Sequence, residues 1–291
     1  MSNIKNNLTC LLFLAPFTGL MVLFFFIPLF TALGISLTNW NFITPLGANN
    51  FVGLDNYRDI FTDPQFYNAL VNTVRFSVMT MAGSISLSFM LALLFQRAFA
   101  GSGIYQMVFF SPWVTPTVAV SLVWSWMYRT HGGFFNVVLG HLGIAPVEWL
   151  TSSDMAMTSI AIFTVWRSLG WYTIFFIAAL EKVPASLYEA AEIDGAGYLA
   201  KLRKVTIPLI SPTTLFLLIV SIIDTFQVFD QIRIMTDGHR NTTTLLFLYY
   251  QRAFSNFQMG YAASIAVIIL VIIAVLSICT TVISKRWVHY D

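Results

Sequence analysis

Two charged side chains stand inside long apolar stretches of the sequence. Arg167 lies near the middle of a stretch that begins at Met155, and Asp224 lies in the next stretch along the chain. A charge at the centre of a bilayer costs about 3 kcal/mol or more, so such residues usually mark a cavity or a function. We therefore expect Arg167 and Asp224 to pair with each other or to share one water-filled cavity. A purely structural ion pair between helices is the alternative.

A polar stripe runs along the stretch that contains Asp224. Its members follow helical spacing, which puts them on one face of a helix. They are Ser221, Asp224, Thr225, Val228 and Gln231. A polar face on a spanning helix most simply faces a pathway or a partner helix. We interpret this one as part of a pathway for a solute.

Metal, redox and nucleotide chemistry are not indicated. Cys10 and Cys279 have no metal-ligand or redox spacing, and the four histidines lie in predicted loops or in the C-terminal tail. The sequence contains no Gly-Lys dipeptide, and hence no P-loop of the GxxxxGK[ST] type. A net charge of +2 gives no sign of nucleic acid as a partner. We therefore expect a chain without enzyme activity, metal or cofactor of its own.

The elements that carry these residues must cross a membrane. Of the 291 residues, 57% are hydrophobic and 10% are charged, whereas soluble domains carry about 25% charged residues. Lipid must therefore cover much of the surface. Six segments reach the length of about 20 apolar residues that a spanning helix needs. They are 11–37, 70–95, 104–128, 155–180, 209–235 and 262–283. The sequence thus predicts an all-α membrane protein with six transmembrane helices, in one domain over 11–291 after a short segment 1–10.

Basic residues predict the orientation of the bundle. Six spans put both termini on one side of the membrane, and all five lysines of the chain fall on that side. By the positive-inside rule, both termini and the loop 181–208 are cytoplasmic. The segments 39–69, 129–154 and 236–261 are then outside.

The loop 181–208 carries the strongest local pattern in the chain. Pro184 suits the first turn of a helix, and Gly195 suits a left-handed C-terminal stop. A second short helix is predicted over 198–206, and Pro208 is expected to end it and open the next span. The apolar face that this second helix is expected to bury consists of Leu199, Leu202 and Val205. We interpret this helix–turn–helix, hereafter the elbow, as a rigid element that docks on a partner.

The elbow resembles the EAA loop of binding-protein-dependent ABC importer permeases. It reads Glu-Ala-Ala-x-x-Asp-Gly-Ala at 189–196, followed at the matching distance by Ile-Pro at 207–208. The resemblance is closest to the first permease of maltose-type and glycerol-phosphate-type pairs and covers nearly the whole chain. Phe-Val-Gly-Leu-Asp-Asn-Tyr at 51–57 resembles that group's outer loop. Two departures are Asp-Gly-His-Arg at 237–240, where a Gly-Gly-Gly-Pro-like turn is usual, and Leu202 in place of the usual Phe.

The resemblance implies the type I ABC importer transmembrane-domain fold and a set of partners. Two permease chains form a channel, and each docks its elbow on one of two ATPase subunits, which hold the ATP and Mg. An extracytoplasmic binding protein delivers a sugar or sugar-like solute. The chain would lie in the inner membrane of a bacterial or archaeal cell. The implied coupling residues are Glu189, Ala190, Ala191, Asp194, Gly195, Ala196, Leu202 and Pro208.

The resemblance also implies positions along a solute pathway. Together with Asp224 from the polar stripe, they are Trp113, Arg167, Ser168, Trp171, Ser221, Thr225 and Val228. The alternatives are tryptophans that mark the membrane interface, and a pair in which the other permease alone contacts solute. A secondary carrier driven by an ion gradient through Asp224 or Asp230, and a membrane enzyme, are the competing functions. Sugars of any length, polyols and glycerol phosphates all stay open as solutes.

Overall fold

A computed structural model describes residues 13–47, 50–96 and 102–288. Within these ranges the backbone forms helices and one isolated bridge between Thr38 and Phe51, but no strand. The all-α prediction is therefore confirmed. The predicted N-terminal segment 1–10 lies outside the described residues, and so does Cys10.

The described ranges contain thirteen helices, numbered in chain order, and three single π-helical turns within or directly after them. The turns are Val22–Phe26 in α1, Leu202–Thr206 in α9 and Gln251–Ser255 directly after α12. The helices are α1 Phe13–Ser36, α2 Asp55–Ile60, α3 Pro64–Phe95, α4 Ser102–Val114, α5 Thr117–Met127, α6 Phe134–His141, α7 Ala156–Glu181, α8 Ala185–Ile193, α9 Tyr198–Leu209, α10 Ser211–Phe226, α11 Asp230–Met235, α12 Leu245–Tyr250 and α13 Met259–Ser284.

Within the described residues, four helices, α1, α3, α7 and α13, are long and apolar enough to cross a membrane as single helices. Two further candidates are bent pairs, with α4 and α5 meeting at 99° and α9 and α10 at 64°. The third predicted span is therefore not one straight helix. Its break falls at Pro116, whose extended ψ of 125° starts α5, because the residue before a proline is driven out of the helical region.

The described residues form two compact units, 13–66 with 248–270 and 67–247 with 271–288. In the first unit, polar side chains hold the end of α1. The buried Asn56 amide donates to the carbonyls of Ser36 and Thr38, both at 2.8 Å. Ser264 Oγ also donates to the Ser36 carbonyl, at 2.9 Å. The last carbonyl of α1, that of Ser36, is thus satisfied by side chains.

The second unit is held together by small residues at helix contacts. One face of α3 carries a row of buried hydroxyls, which we call the hydroxyl seam: Thr73, Ser77, Thr80, Ser84 and Ser88. Ser84 Oγ lies 2.8 Å from Ser168 Oγ on α7, and Ser88 Oγ donates to the Leu169 carbonyl at 3.0 Å. Small side chains allow close helix approach in membranes, so the seam brings α3 tightly against α7.

Candidate solute cavity and coupling elbow

A cavity of about 330 Å³ lies in the second unit, between α3, α4, α7, α10 and α11. Most of the residues that line it have polar or charged side chains. Of the residues predicted to lie on the pathway, six lie at the cavity: Trp113, Arg167, Asp224, Thr225, Val228 and, from the polar stripe, Gln231. The lining residues that were not predicted as pathway positions are Phe76, Thr80, Thr117, Thr164, Tyr172, Gln227, Phe229 and Asp230.

The helix that was predicted to carry the polar stripe ends earlier than expected. α10 stops at Phe226, and the chain leaves helical geometry before α11 begins at Asp230. The stripe is therefore not one helical face, and Gln231 belongs to a separate helix. Tertiary packing sets the break, because Val228 is buried in the aromatic core and its carbonyl accepts from Thr244 Oγ1 at 3.3 Å. The break turns both Val228 and Gln231 toward the same cavity as Asp224.

Arg167 is held by Trp113 rather than by an acidic partner. Its Nη2 donates to the Trp113 carbonyl at 3.2 Å, and its guanidinium carbon lies 4.9 Å from the centre of the Trp113 ring. Trp113 in turn stacks on Trp171 with ring centres 5.1 Å apart. Within the described chain no ion pair joins Arg167 to Asp224. Of the two arrangements expected for these charges, the structure thus has the shared cavity and not the direct pair.

Three predicted pathway residues do not line the cavity. Ser168 is buried against Ser84 of the hydroxyl seam, Trp171 lies against Trp113, and Ser221 is buried within α10. One missed residue, Thr80, carried a usable signal, since it belongs to a row of hydroxyls at helical spacing in an otherwise apolar segment. Its Oγ1 and the Arg167 Nε are both buried and have no hydrogen-bond partner within the described residues. Buried polar atoms without a hydrogen-bond partner, at the edge of a cavity, can bond a polar solute or water that enters it.

Exchanging the two charges tests this arrangement. We expect Arg167→Asp combined with Asp224→Arg to transport as poorly as each single variant, because Trp113 holds the guanidinium and an aspartate cannot replace that contact. Solute uptake by the assembled transporter is the measurement, with a loss of about tenfold or more for all three variants. As a control, the Arg252–Asp63 pair, joined at 2.8 Å, should regain part of its lost thermal stability when reversed. Recovery of uptake in the Arg167/Asp224 exchange would contradict the arrangement.

The elbow comprises α8 and α9, joined by a turn at Gly195. Gly195 has a φ of +76°, and its amide donates to the Glu192 carbonyl at 2.9 Å, while the Ala196 amide donates to the Ala191 carbonyl at 2.8 Å. These two bonds form a Schellman motif, in which a glycine takes the left-handed position because it has no Cβ. The predicted left-handed stop at Gly195 is confirmed.

Two expectations about the second arm of the elbow are wrong. Pro208 does not end it, because α9 continues to Leu209 and breaks at Ile210 instead. In the π-turn just before the proline, the Ile207 amide donates to the carbonyl of Leu202, five residues earlier, rather than to the carbonyl four residues earlier as in an α-helix. A wider turn of this kind lets a helix continue past a local change in its hydrogen-bond pattern. Leu199 is also not buried, since 77% of it is exposed.

Two side-chain contacts fix the angle between the arms. The Tyr188 and Thr206 hydroxyls lie 3.0 Å apart, and Lys201 Nζ donates to Glu192 Oε1 at 2.5 Å. Half of the predicted coupling residues, Glu189, Ala190, Asp194 and Gly195, are exposed, and the other half, Ala191, Ala196, Leu202 and Pro208, are half-buried. The most exposed apolar side chain here is Ile193, at 87%.

The contact between Glu192 and Lys201 predicts a response to acid. The hydrogen bond from Lys201, and next its charge, hold the pKa of Glu192 below its ordinary value of 4.5. The contact therefore favours the folded elbow above pH 4.5 and is lost as the pH falls through the lowered pKa. We expect amide protection in the elbow, corrected for intrinsic exchange rates, to fall between about pH 6 and about pH 3. Hydrogen exchange should show no such fall in Glu192→Gln. The control variant Glu189→Gln should still lose protection at low pH. If Glu192→Gln also lost it, Glu192 would not be the group responsible.

Comparison with known proteins gives three kinds of match. The family model described as "Binding-protein-dependent transport system inner membrane component" matches residues 84–289. The trehalose/maltose transport system permease protein MalF of Thermococcus litoralis is 32% identical over 266 residues, which cover 90% of this chain and 89% of that protein. The sn-glycerol-3-phosphate transport system permease protein UgpA of Escherichia coli is 31% identical, over 96% of this chain and 93% of that protein.

A further relative and a solved structure agree with these matches. The sulfoquinovosyl glycerol transport system permease protein SmoG of Agrobacterium fabrum is 30% identical over 98% of this chain and 91% of that protein. The crystal structure of a bacterial ABC transporter involved in the import of the acidic polysaccharide alginate superposes with a TM-score of 0.84, at 21% identity and 98% coverage of both chains. At that identity the match shows the fold alone, which is the predicted transmembrane-domain fold of ABC importers.

Proposed function

The chain belongs to the family of binding-protein-dependent transport system inner membrane components, a multi-pass membrane protein family, and from this we propose that it is the permease subunit of an ATP-driven importer of sugars. Its partners in this proposal are a second permease chain, two ATPase subunits with their ATP and Mg, and an extracytoplasmic binding protein. It would act in the inner membrane of a bacterial or archaeal cell, with both termini and the elbow in the cytoplasm.

The elbow is the observation that carries the proposal. It is closed by its own Schellman motif and by contacts between its arms, and it still leaves large apolar side chains uncovered, namely Ile193 and Leu199. Buried aliphatic surface contributes about 25 cal/mol per Å² when it leaves water. A preformed element with uncovered apolar residues at its tip fits a groove on a partner, and the proposed partner is the ATPase.

The cavity supports a polyhydroxylated solute. Trp113 brings an aromatic ring to the cavity, which suits the C–H bonds of a sugar ring, while Arg167, Asp224 and Thr80 offer donors and acceptors to its hydroxyls. Each buried polar group that bonds the solute avoids the cost of staying unsatisfied, about 1–3 kcal/mol. In this proposal Arg167 and Asp224 orient the solute through hydrogen bonds and take no part in chemistry.

The relatives support the class of solute without naming one. By their names they serve trehalose and maltose, sulfoquinovosyl glycerol and sn-glycerol-3-phosphate. What these have in common is a polyol or sugar carried by a binding-protein-dependent system. A thermal-shift screen of the cognate binding protein against mono-, di- and oligosaccharides, polyols and glycerol phosphates would identify the solute of this chain.

Reconstitution tests the proposed function. The chain is placed in proteoliposomes with the second permease, the ATPase and the binding protein, and uptake of the identified solute is followed with and without ATP. We expect uptake only with ATP, the ATPase and the binding protein present. Uptake by the chain alone, driven by a sodium or proton gradient, would overturn the proposal.

A carrier that uses Asp224 and Asp230 is the second candidate, because both carboxylates line the cavity. The double variant Asp224→Asn with Asp230→Asn separates the two functions. In an ATP-driven importer it changes affinity for the solute but leaves ATP dependence in place. In an ion-coupled carrier it removes the dependence of uptake on the ion gradient.

A further inference from the structure

The first unit has an exposed aromatic patch where two apolar helices reach the same place. α1 ends at Ser36, and the segment 40–46 that follows it contains Trp40, Phe42, Ile43 and Leu46. The amide of Gly260, in the first turn of α13, donates to the Trp40 carbonyl at 3.1 Å. The segment is thereby fixed beside the start of α13, which follows the exposed Phe254 and Phe257.

Ring contacts join the two parts of the patch. The Trp40 and Phe42 ring centres are 4.7 Å apart, and those of Phe42 and Phe254 are 6.4 Å apart. Even so, the side chains stay open on one side, with Phe42 46% exposed and Ile43 76% exposed. Exposure of these apolar side chains to water would be unfavourable, so this surface is expected to be covered by lipid or by a partner.

Two of these phenylalanines have a strained backbone. Phe42 has a φ of 63° and Phe257 a φ of 56°. Bulky side chains rarely adopt this left-handed region, and such strain persists only where the surrounding structure enforces it. Here the two strained residues carry half-exposed rings, just after the end of α1 and just before the start of α13.

Several polar groups of the segment form hydrogen bonds within it. Trp40 Nε1 donates to the Thr44 carbonyl at 2.8 Å. Asn41 Oδ1 accepts from the amides of Ile43 and Thr44, at 3.2 and 3.1 Å, and from Thr44 Oγ1 at 2.9 Å. A segment in a medium poor in water must close its hydrogen bonds in this way.

The segment 40–46 lies in a long uncharged stretch of the chain, and the charged residue nearest to Phe254 in sequence, Arg252, is paired with Asp63. No Asp, Glu, Lys or Arg occurs from residue 6 to residue 54. A surface that docks a soluble protein normally has a polar rim around its apolar centre, and this stretch supplies no charged residue for one. It is instead continuous with α1, a helix of 24 residues whose most apolar stretch contains no residue that is buried within the described chain.

We propose that the segment 40–46, with Phe254 and Phe257, is an interfacial anchor that lies in the bilayer at the boundary between lipid headgroups and acyl chains. Aromatic and aliphatic side chains with internally closed polar groups are suited to that boundary. The anchor would fix the depth of α1 and α13 in the membrane. It depends on membrane insertion and not on the proposed transport function.

Spin labelling in nanodiscs of phosphatidylcholine tests the anchor. Ile43→Cys is labelled in a chain that also carries Cys10→Ser and Cys279→Ser, and the collision rates with oxygen and with a water-soluble nickel chelate are compared. The matched control is Arg58→Cys, an exposed charged position on α2 of the same unit. We expect the oxygen-to-nickel ratio to be about threefold or more higher at 43 than at 58.

Equal ratios at the two positions would overturn the proposal. So would a label at 43 that stays open to nickel in nanodiscs and becomes protected only when a soluble binding protein is added, since that surface would be a protein interface. Gel filtration of each labelled chain before reconstitution ensures that both report on folded protein. A chain that is inactive in transport gives the same readout, so failure of the proposed function leaves this test intact.

Discussion

Replacing Ile193 with aspartate is expected to abolish ATP-driven uptake while the chain stays folded. Its side chain is 87% exposed at the tip of the elbow, so the substitution removes almost no contact within the chain. In the proposed complex the same side chain enters a groove of the ATPase, where a carboxylate would be desolvated without a partner. Central apolar contacts at interfaces are worth about 2 kcal/mol or more, which corresponds to a loss of affinity of about 30-fold.

The measurement has two parts, uptake by reconstituted transporter and retention of the ATPase on the purified permeases. Leu199→Asp, on the other arm of the elbow, should behave in the same way. The control is Ile144→Asp, which also places a charge on an exposed apolar residue, but in a loop predicted to lie outside. It should leave both readouts within about twofold of wild type, as surface substitutions usually do. Normal ATPase retention by Ile193→Asp would show that the elbow tip is not the docking surface.

Replacing Gly170 with alanine is expected to prevent correct packing of α4 against α7. An added Cβ would lie 2.1 Å from the carbonyl oxygen of Phe109 and 2.6 Å from the Phe110 Cα. Both obstacles are backbone atoms, so no rotamer change relieves the overlap and the helices must separate. Overpacking of a core costs about 1–3 kcal/mol where side chains can adjust, and a backbone clash should exceed that range. Trp113 and Arg167 lie on these two helices, so the cavity would be lost as well.

The yield of monodisperse protein in detergent, and its thermal unfolding, measure this effect. The matched control is Gly34→Ala in the apolar helix α1, where an added Cβ meets nothing within 4 Å. Alanine should be neutral or stabilising there by up to about 1 kcal/mol, because glycine is the poorer helix former. If Gly170→Ala gave wild-type yield and stability, the close approach of α4 and α7 would not be essential.

Local chemistry made some of this structure predictable from the sequence. The fourth predicted span, 155–180, agrees closely with α7, Ala156–Glu181, because polar residues and a turn bound a continuous apolar run. The stop at Gly195 was predictable for a similar reason, since the left-handed position requires only the residue itself and its neighbours. All these features depend on interactions within a few residues.

Features that depend on distant contacts were missed. The 99° bend between α4 and α5 had a visible cause in Pro116, but a proline alone does not indicate whether a span kinks or turns back. The break after Phe226 has no local signal, since Gln227 to Phe229 contain neither glycine nor proline. It follows from the burial of Val228 in the core. The cavity itself combines residues from several helices, and Tyr172 or Thr164 becomes a lining residue only once their crossing is known.

The hydroxyl seam of α3 has a mechanical consequence. A serine or threonine in a helix can return its hydrogen bond to a carbonyl one turn earlier, as Thr73 Oγ1 does with the Ala69 carbonyl at 2.8 Å. If α3 slides along α7, the hydroxyls of Ser84 and Ser88 can exchange their partners on α7 for carbonyls one turn earlier in α3. They then keep a hydrogen bond within the apolar interior. The contact between α3 and α7 should therefore tolerate small translations of one helix along the other at little cost in free energy. A row of leucines in the same place would interlock and resist that motion.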